Sequence, residues 1–236
     1  MEFLSLTLPT LAENIALDEA LLMAAESETG HEILRIWEWE APAAVLGAGG
    51  KLAEDVDRDA CAKDGVPILR RSSGGGTVLL GPGCLLYSLV LAYDRAAPLR
   101  AIATSYEYIL DRICAYLAVP GLRRAGTSDL ALGGRKVSGN AQQRKRGHLL
   151  HHGSLLYDFD AMRAERYLLI PGRQPEYRQQ RSHSEFLTNL PLERGDLITS
   201  LRAAFAAETE TAEWPRERVG ELVETKYQSA EWTMRR

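Results

Sequence analysis

At 236 residues the chain is long enough for one large domain or two small ones, and its 45% hydrophobic content supplies an ample core. A net charge of −4 argues against a nucleic-acid binder working by bulk charge, and three scattered cysteines, Cys61, Cys84 and Cys114, are too few for a disulfide framework or a zinc site. With no apolar run of membrane-spanning length and no signal-like N-terminus, the expected setting is soluble, reducing and cytoplasmic.

Residues 3–8 alternate, with Leu4, Leu6 and Leu8 on one side, and predict a short strand. Thr10 and Glu13 form a capping-box pattern that opens a helix, whose apolar face runs through Leu11, Ile15, Leu17, Leu21 and Leu22 to about Ser27. Leu34 and Ile36 alternate again, and Ala43–Leu46 predicts a strand ahead of glycines 47, 49 and 50. A polar helix is expected over Leu52–Lys63, stopped at Gly65. Val66–Leu69 reads as a buried strand, and Pro82-Gly83 turns the chain into a long core strand over Cys84–Tyr93. Ile102, Tyr106, Ile109, Ile113 and Leu117 recur every three or four residues, predicting an amphipathic helix over 98–118. A strand over Gly126–Leu132 carries Asp129. Helices follow over Asp160–Leu169, Leu192–Ala207 and from Pro215 to about Lys226, with an arginine-rich loop at Pro171–Ser184. No repeat or linker interrupts the chain, so one domain over 1–236 is expected. Its strands and helices mix without strict βαβ alternation, which favours α+β with a largely antiparallel sheet flanked by helices.

Two stretches carry chemistry. In Arg70-Arg71-Ser72-Ser73-Gly74-Gly75-Gly76-Thr77-Val78, a glycine triplet after a strand exposes successive N–H groups suited to phosphate oxygens, and two arginines add bidentate donors. Neither the nucleotide P-loop nor the dinucleotide fingerprint has this spacing. In the second, Gly133-Gly134 and the turn at Gly147 predict two hairpins, with Lys136 among the small residues Ser138, Gly139 and Ala141. Small neighbours let a ligand approach the backbone, and the lysine offers a point charge to an anion. Read alone, the lysine stretch is first of all a solvated surface hairpin, whereas the arginines and strands flanking the glycine triplet favour an anion site there over a flexible loop.

Together these stretches resemble the lipoate–protein ligase A family, within the larger group of biotin and lipoate protein ligases and octanoyl transferases. The resemblance is carried by Arg70-Arg71-x-Ser73-Gly74-Gly75-Gly76-x-Val78, Asp129-Leu130, Gly134-Arg135-Lys136-Val137-Ser138-Gly139-Asn140-Ala141-Gln142 and His151-His152-Gly153-Ser154. Weaker matches lie at Ala16–Ala20, Thr188–Leu190, Lys226-Tyr227 and Glu231-Trp232. It implies a biotin/lipoate-ligase catalytic fold and an ATP-dependent lipoate–protein ligase, which makes lipoyl- or octanoyl-adenylate and passes the acyl group to a carrier lysine. The implied nucleotide contacts are Arg71, Gly74, Gly75, Gly76, Thr77, Val78, Leu79, Lys136 and Asp129, the last also a candidate Mg²⁺ contact. Lys136 is the implied catalytic residue, bridging carboxylate and α-phosphate. Arg70, Ser73, Ser138, Gly139, Asn140, His152 and Gly153 are the implied lipoyl contacts. The implied partners are lipoyl-carrier domains, of the 2-oxoacid dehydrogenase E2 or glycine-cleavage H type, with no nucleic acid and no membrane.

The chain departs from the family pattern in having Ser128 before Asp129, Cys84 and Leu86 in the strand after the glycine loop, and Gly47-Ala48-Gly49-Gly50 in place of a more polar stretch. It ends where longer ligases continue into an accessory domain, so a separate small accessory protein is an expected partner unless the Pro171–Ser184 loop serves as lid. The basic turn Arg144-Lys145-Arg146 is a candidate surface for acidic carriers. Two alternatives stand beside the ligase: an ATP-independent octanoyl or lipoyl transferase, and a non-catalytic carrier-binding protein. The transferase resemblance implies a nucleophilic cysteine before the lysine strand or after the His-Gly segment, where Gly126–Ser128 and Pro171-Gly172 contain none.

Overall fold

Two periodicities shape the chain, and they sort cleanly into strands and helices. The strands, in chain order, are β1 (Glu2–Ser5), β2 (Ile33–Trp37), β3 (Ala43–Leu46), β4 (Ile68–Arg70), β5 (Val78–Leu80), β6 (Cys84–Ala92), β7 (Arg123–Ala125), β8 (Asp129–Leu132), β9 (Arg135–Arg144), β10 (His148–Leu156) and β11 (Thr209–Glu210). The α-helices are α1 (Leu11–Ser27), α2 (Leu52–Asp55), α3 (Arg58–Asp64), α4 (Ile102–Leu117), α5 (Ala161–Tyr167), α6 (His183–Phe186), α7 (Arg194–Phe205), α8 (Arg216–Leu222) and α9 (Ala230–Met234), with a π-helical turn at Val223–Tyr227. These elements belong to a computed structural model that describes residues 1–27 and 31–235.

Eight strands form one mixed, mostly antiparallel sheet in the order β11-β1-β2-β6-β10-β9-β8-β7, with only the pairings of β1 parallel. Alternation along β6 sends Leu85, Tyr87, Leu89 and Leu91 into a core beneath α4 and α7, and Leu86 and Val90 into a second core with α1. Helix α1 is therefore buried on several sides, which accounts for apolar residues beyond a single stripe. Its start is the expected capping box: Glu13 N–H donates to Thr10 Oγ1, and Thr10 N–H donates to the Glu13 carboxylate.

The strands around the glycine loop depart from the expectation of a single sheet. Strands β4 and β5 do not join β6; they flank β3 in a separate three-stranded sheet, parallel on one side and antiparallel on the other. The turn at Gly81–Gly83 carries the chain from this sheet to the large one. At Gly83 (φ 77°) a Cβ would lie 2.0 Å from the Asp158 backbone. The helix expected over 52–63 is two helices. Val56 pairs instead with Leu168, and the Asp57 carboxylate restarts the helix by accepting from Ala60 N–H. Pro215 sits one place before its helix rather than at the first position, and α9 lies beyond the expected end. The 171–184 loop is packed rather than open, with Arg178 buried over the Phe186 ring.

Candidate functional site

The β8–β9 hairpin turns at Gly133 and Gly134, both at positive φ. Leu130 faces Ser138 but Ala131 faces Lys136, so Val137 is the extra residue of a bulge. Bulges re-aim the neighbouring side chain, and here Lys136 folds back across its own strand. Its Nζ lies 2.8 Å from Asp129 Oδ1. Gly139 makes this path available, because a Cβ there would sit 2.7 Å from Nζ. The second Asp129 oxygen accepts from the Tyr177 hydroxyl at 2.8 Å. Burial and the Asp129 charge push the Tyr177 pKa up, keeping it a donor.

Beside them Asn140 turns inward. Its amide donates to Ser128 O at 2.8 Å and Ser138 Oγ at 3.1 Å, and its carbonyl accepts from the Tyr87 hydroxyl at 2.5 Å. Gly153 on the next strand leaves the room for it, since a Cβ would fall 1.8 Å from Asn140 Oδ1.

The glycine loop, residues 72–77, lies against this strand: a Cβ on Gly75 (φ 83°) would be 3.4 Å from Ala141 Cβ. Gly47 packs from the other side, where a Cβ would meet Gly75 O at 2.1 Å. That close approach accounts for glycine at position 47, the first of the Gly-Ala-Gly-Gly stretch. Arg71 shapes the loop from within, donating to Ser73 Oγ (2.9 Å), Val45 O (3.2 Å), Gly74 O (2.6 Å) and Gly76 O (2.8 Å). Burial lowers its pKa to about 10, so it stays cationic at neutral pH. Among the described residues no carboxylate lies within ion-pair distance of it, and the N–H groups of Gly74, Gly75, Gly76 and Thr77 donate to no protein group. Thr77 Oγ1 itself donates to Asp55 at 2.8 Å.

The structure thus brings Lys136, Asp129, Gly139, His152, Ser73 and the loop glycines to one face of the large sheet, whereas Ser138, Asn140 and Gly153 turn to the opposite face, towards Tyr87. Arg70 faces away: it donates to Gly47 O, Gly50 O and Thr233 O, clamping the 47–50 turn and α9. Val78 and Leu79 lie within the small sheet, paired with Val45 and Ala44. Arg144 is not part of a solvated basic turn; it donates to Leu99 O at 2.6 Å and lies over the Tyr93 ring. Sequence reading missed Tyr177, Tyr87 and Asp18. His152 Nδ1 lies 2.9 Å from Asp18 Oδ2, whose other oxygen pairs with the buried Arg35 at 2.7 Å. The available signal was a carboxylate within the apolar stretch of α1 and an arginine inside a β-strand of apolar residues.

Asp129, the implied Mg²⁺ contact, already has protein partners. Both Asp129 oxygens are engaged by Lys136 and Tyr177, and the described residues contain no group of three His, Cys, Asp or Glu placed to hold a metal. No described helix is long and apolar enough to cross a membrane.

The sequence model of the lipoyl protein ligase A/B catalytic domain matches residues 10–207. The chain is 30% identical to an octanoyltransferase LipM of Symbiobacterium thermophilum over 95% of its own length and 94% of the relative's. It is 27% identical to the octanoyltransferase LipM of Bacillus subtilis, again over 95% and 94%. In fold it is similar to a bi-partite lipoate protein ligase of Thermoplasma acidophilum, with a TM-score of 0.84 at 23% identity over 99% of this chain and 95% of that one. A lipoate-protein ligase A bound with ATP superposes with a TM-score of 0.82 at 23% identity, covering 99% of both chains.

Proposed function

The chain belongs to the lipoyl protein ligase A/B catalytic-domain family, and within it we propose an enzyme that activates lipoate or octanoate as an acyl-adenylate and passes the acyl group to a carrier lysine. The observation that carries this reading is the glycine loop: four consecutive undonated N–H groups around a buried Arg71 without a carboxylate partner, packed against the strand of Lys136. Such a cradle suits the phosphates of ATP. Lys136 then brings the acyl carboxylate and the α-phosphate together and stabilises charge on the mixed anhydride in both half-reactions. Asp129 and Tyr177 hold the ammonium in place before substrate arrives.

A second reading, acyl transfer without ATP, is favoured by the relatives that carry the name octanoyltransferase. Transfer through a covalent thioester needs an accessible, activated thiol. The three cysteines offer none: Cys61 and Cys84 are buried, and burial pushes Cys84 to about 12 and Cys114 to about 11. The proposed carriers are lipoyl domains of the E2 or H-protein type; an E2 lipoyl domain accompanies the Thermoplasma ligase. A separate small protein assisting adenylation belongs to the same proposal, as does a cytoplasmic setting, which free thiols support.

Pyrophosphate release from ATP, dependent on lipoate or octanoate, is the expected result with purified chain. Octanoyl transfer from a thioester donor without ATP, abolished by replacing all three cysteines with alanine, would favour the second reading. Release of pyrophosphate by the same cysteine-free variant is the outcome the ligase reading requires.

A further inference from the structure

The glycine loop starts with two serines, and each is held from a different residue of α1. Ser73 Oγ lies 2.6 Å from His152 Nε2, and His152 Nδ1 lies 2.9 Å from Asp18 Oδ2. Ser72 Oγ donates to Gln143 Oε1 at 2.5 Å, and Gln143 Nε2 donates to Glu19 Oε1 at 3.4 Å. Asp18 and Glu19 are neighbours in sequence and both are buried. Each is anchored by a cation: Asp18 by Arg35 at 2.7 Å, Glu19 by Lys226 at 2.8 Å and also by the Tyr227 hydroxyl at 2.6 Å.

We infer that Asp18 and Glu19 are positioning residues that set the shape of the anion cradle from helix α1, through His152 to Ser73 and through Gln143 to Ser72. The physical need is plain. A loop of three glycines has little conformational preference of its own, and ordering it when the ligand arrives would cost binding energy. Its carbonyls are already gathered by Arg71, whose Nε also donates to Ser73 Oγ at 2.9 Å. The Ser73 oxygen is thus the junction between the arginine inside the loop and the fixed carboxylate outside it. Both carboxylates stay ionised for this work. Burial opposes the Asp18 charge, but the His152 hydrogen bond and the Arg35 charge outweigh it. The Lys226 and Tyr227 contacts do the same for Glu19, and both pKa values are lowered. The second chain adds the C-terminal turn to the same device, because Lys226 and Tyr227 lie in the π-helical segment.

This inference rests on the loop being the ligand cradle, but its first test needs no substrate and so stands or falls separately. The Ala48 amide donates to Ser73 O at 2.8 Å and reports the position of Ser73. In the full chain, His152→Asn keeps a partner for Asp18 and drops the one for Ser73. It should speed hydrogen exchange at Ala48 by about tenfold or more, while amides within α4 keep their protection. Adding Gln143→Ala should speed Ala48 further. Unchanged Ala48 protection in folded His152→Asn overturns the inference, and no increment from Gln143→Ala overturns the Glu19 chain. The second test is a double-mutant cycle between Asp18→Asn and Ser73→Ala, residues joined through His152. Expected is a coupling of about fivefold or more in kcat/KM; simple multiplication of the two losses counts against positioning. If Asp18→Asn leaves Arg35 unpaired and fails to fold, the exchange measurement on His152→Asn decides alone.

Discussion

Lys136 owes its place to three residues around it rather than to its own strand alone. The bulge at Val137 re-aims it, Asp129 holds its ammonium and Gly139 leaves the space it crosses. Lys136→Ala should lose about a hundredfold or more in acyl-adenylate formation, roughly 3 kcal/mol of transition-state stabilisation, with the thermal midpoint close to that of the parent. Lys136→Arg should not restore the rate, because a planar fork cannot replace a point charge between two oxygens. Gly139→Ala is the sharper probe. The added methyl displaces only the far end of a flexible side chain, so a folded protein with a slowed chemical step is expected; parent-like kcat would show that the lysine position is immaterial. The residues around Lys136 were legible because they lie within one stretch of sequence. Asp18 and Tyr177 were not, since their partners His152 and Asp129 are 134 and 48 residues away.

Among the elements, α9 is the least expected and among the most connected. The Trp232 indole donates to Arg70 O at 2.7 Å, Arg70 returns two bonds to Thr233 O, and Lys226 and Arg235 lie over the Trp232 ring. Arg70 in turn holds the carbonyls of Gly47 and Gly50, so α9 reaches the back of the glycine loop through one guanidinium. Trp232→Ala should cost about 2 kcal/mol, a fall of roughly 4–8 °C in thermal midpoint for a chain of this size. A greater loss in substrate affinity than in kcat should accompany it, and calorimetry with initial-rate kinetics checks both. Sequence periodicity could place the hairpins and α1, α4 and α7, because each declares itself over a local window. It could not divide β3, β4 and β5 from the large sheet. A short apolar run reads the same in either sheet, and the choice is made by the turn at Gly81–Gly83.

On the scale of the whole molecule, stability is tied to pH through groups buried in the large sheet. His151 lies in β10 between Tyr87 and Gln142, and burial, aided by the charge of His152, lowers its pKa from 6.5 to about 3. The folded state therefore binds fewer protons than the unfolded one below about pH 6.5, and stability is full above that value and lost as pH falls towards 3. The expected slope from this residue alone is about 1.4 kcal/mol per pH unit. Asp18 and Glu19, with lowered pKa values, extend the loss at more acid pH in the same direction. Denaturant titrations at pH 7 and pH 5 should show the decline, and a folded His151→Gln variant should flatten it; an equal decline in that variant would assign the effect elsewhere.

The division into two sheets has a mechanical consequence. Lys136 rides on one sheet and the glycine loop on the other, and among the described residues no strand ladder crosses between them. Widening the slot by an ångström would break side-chain contacts such as Ser73–His152 and Ser72–Gln143 while leaving every rung of both ladders intact. Under the proposed function, an acyl chain would be admitted by parting these side-chain contacts rather than by unzipping a strand ladder.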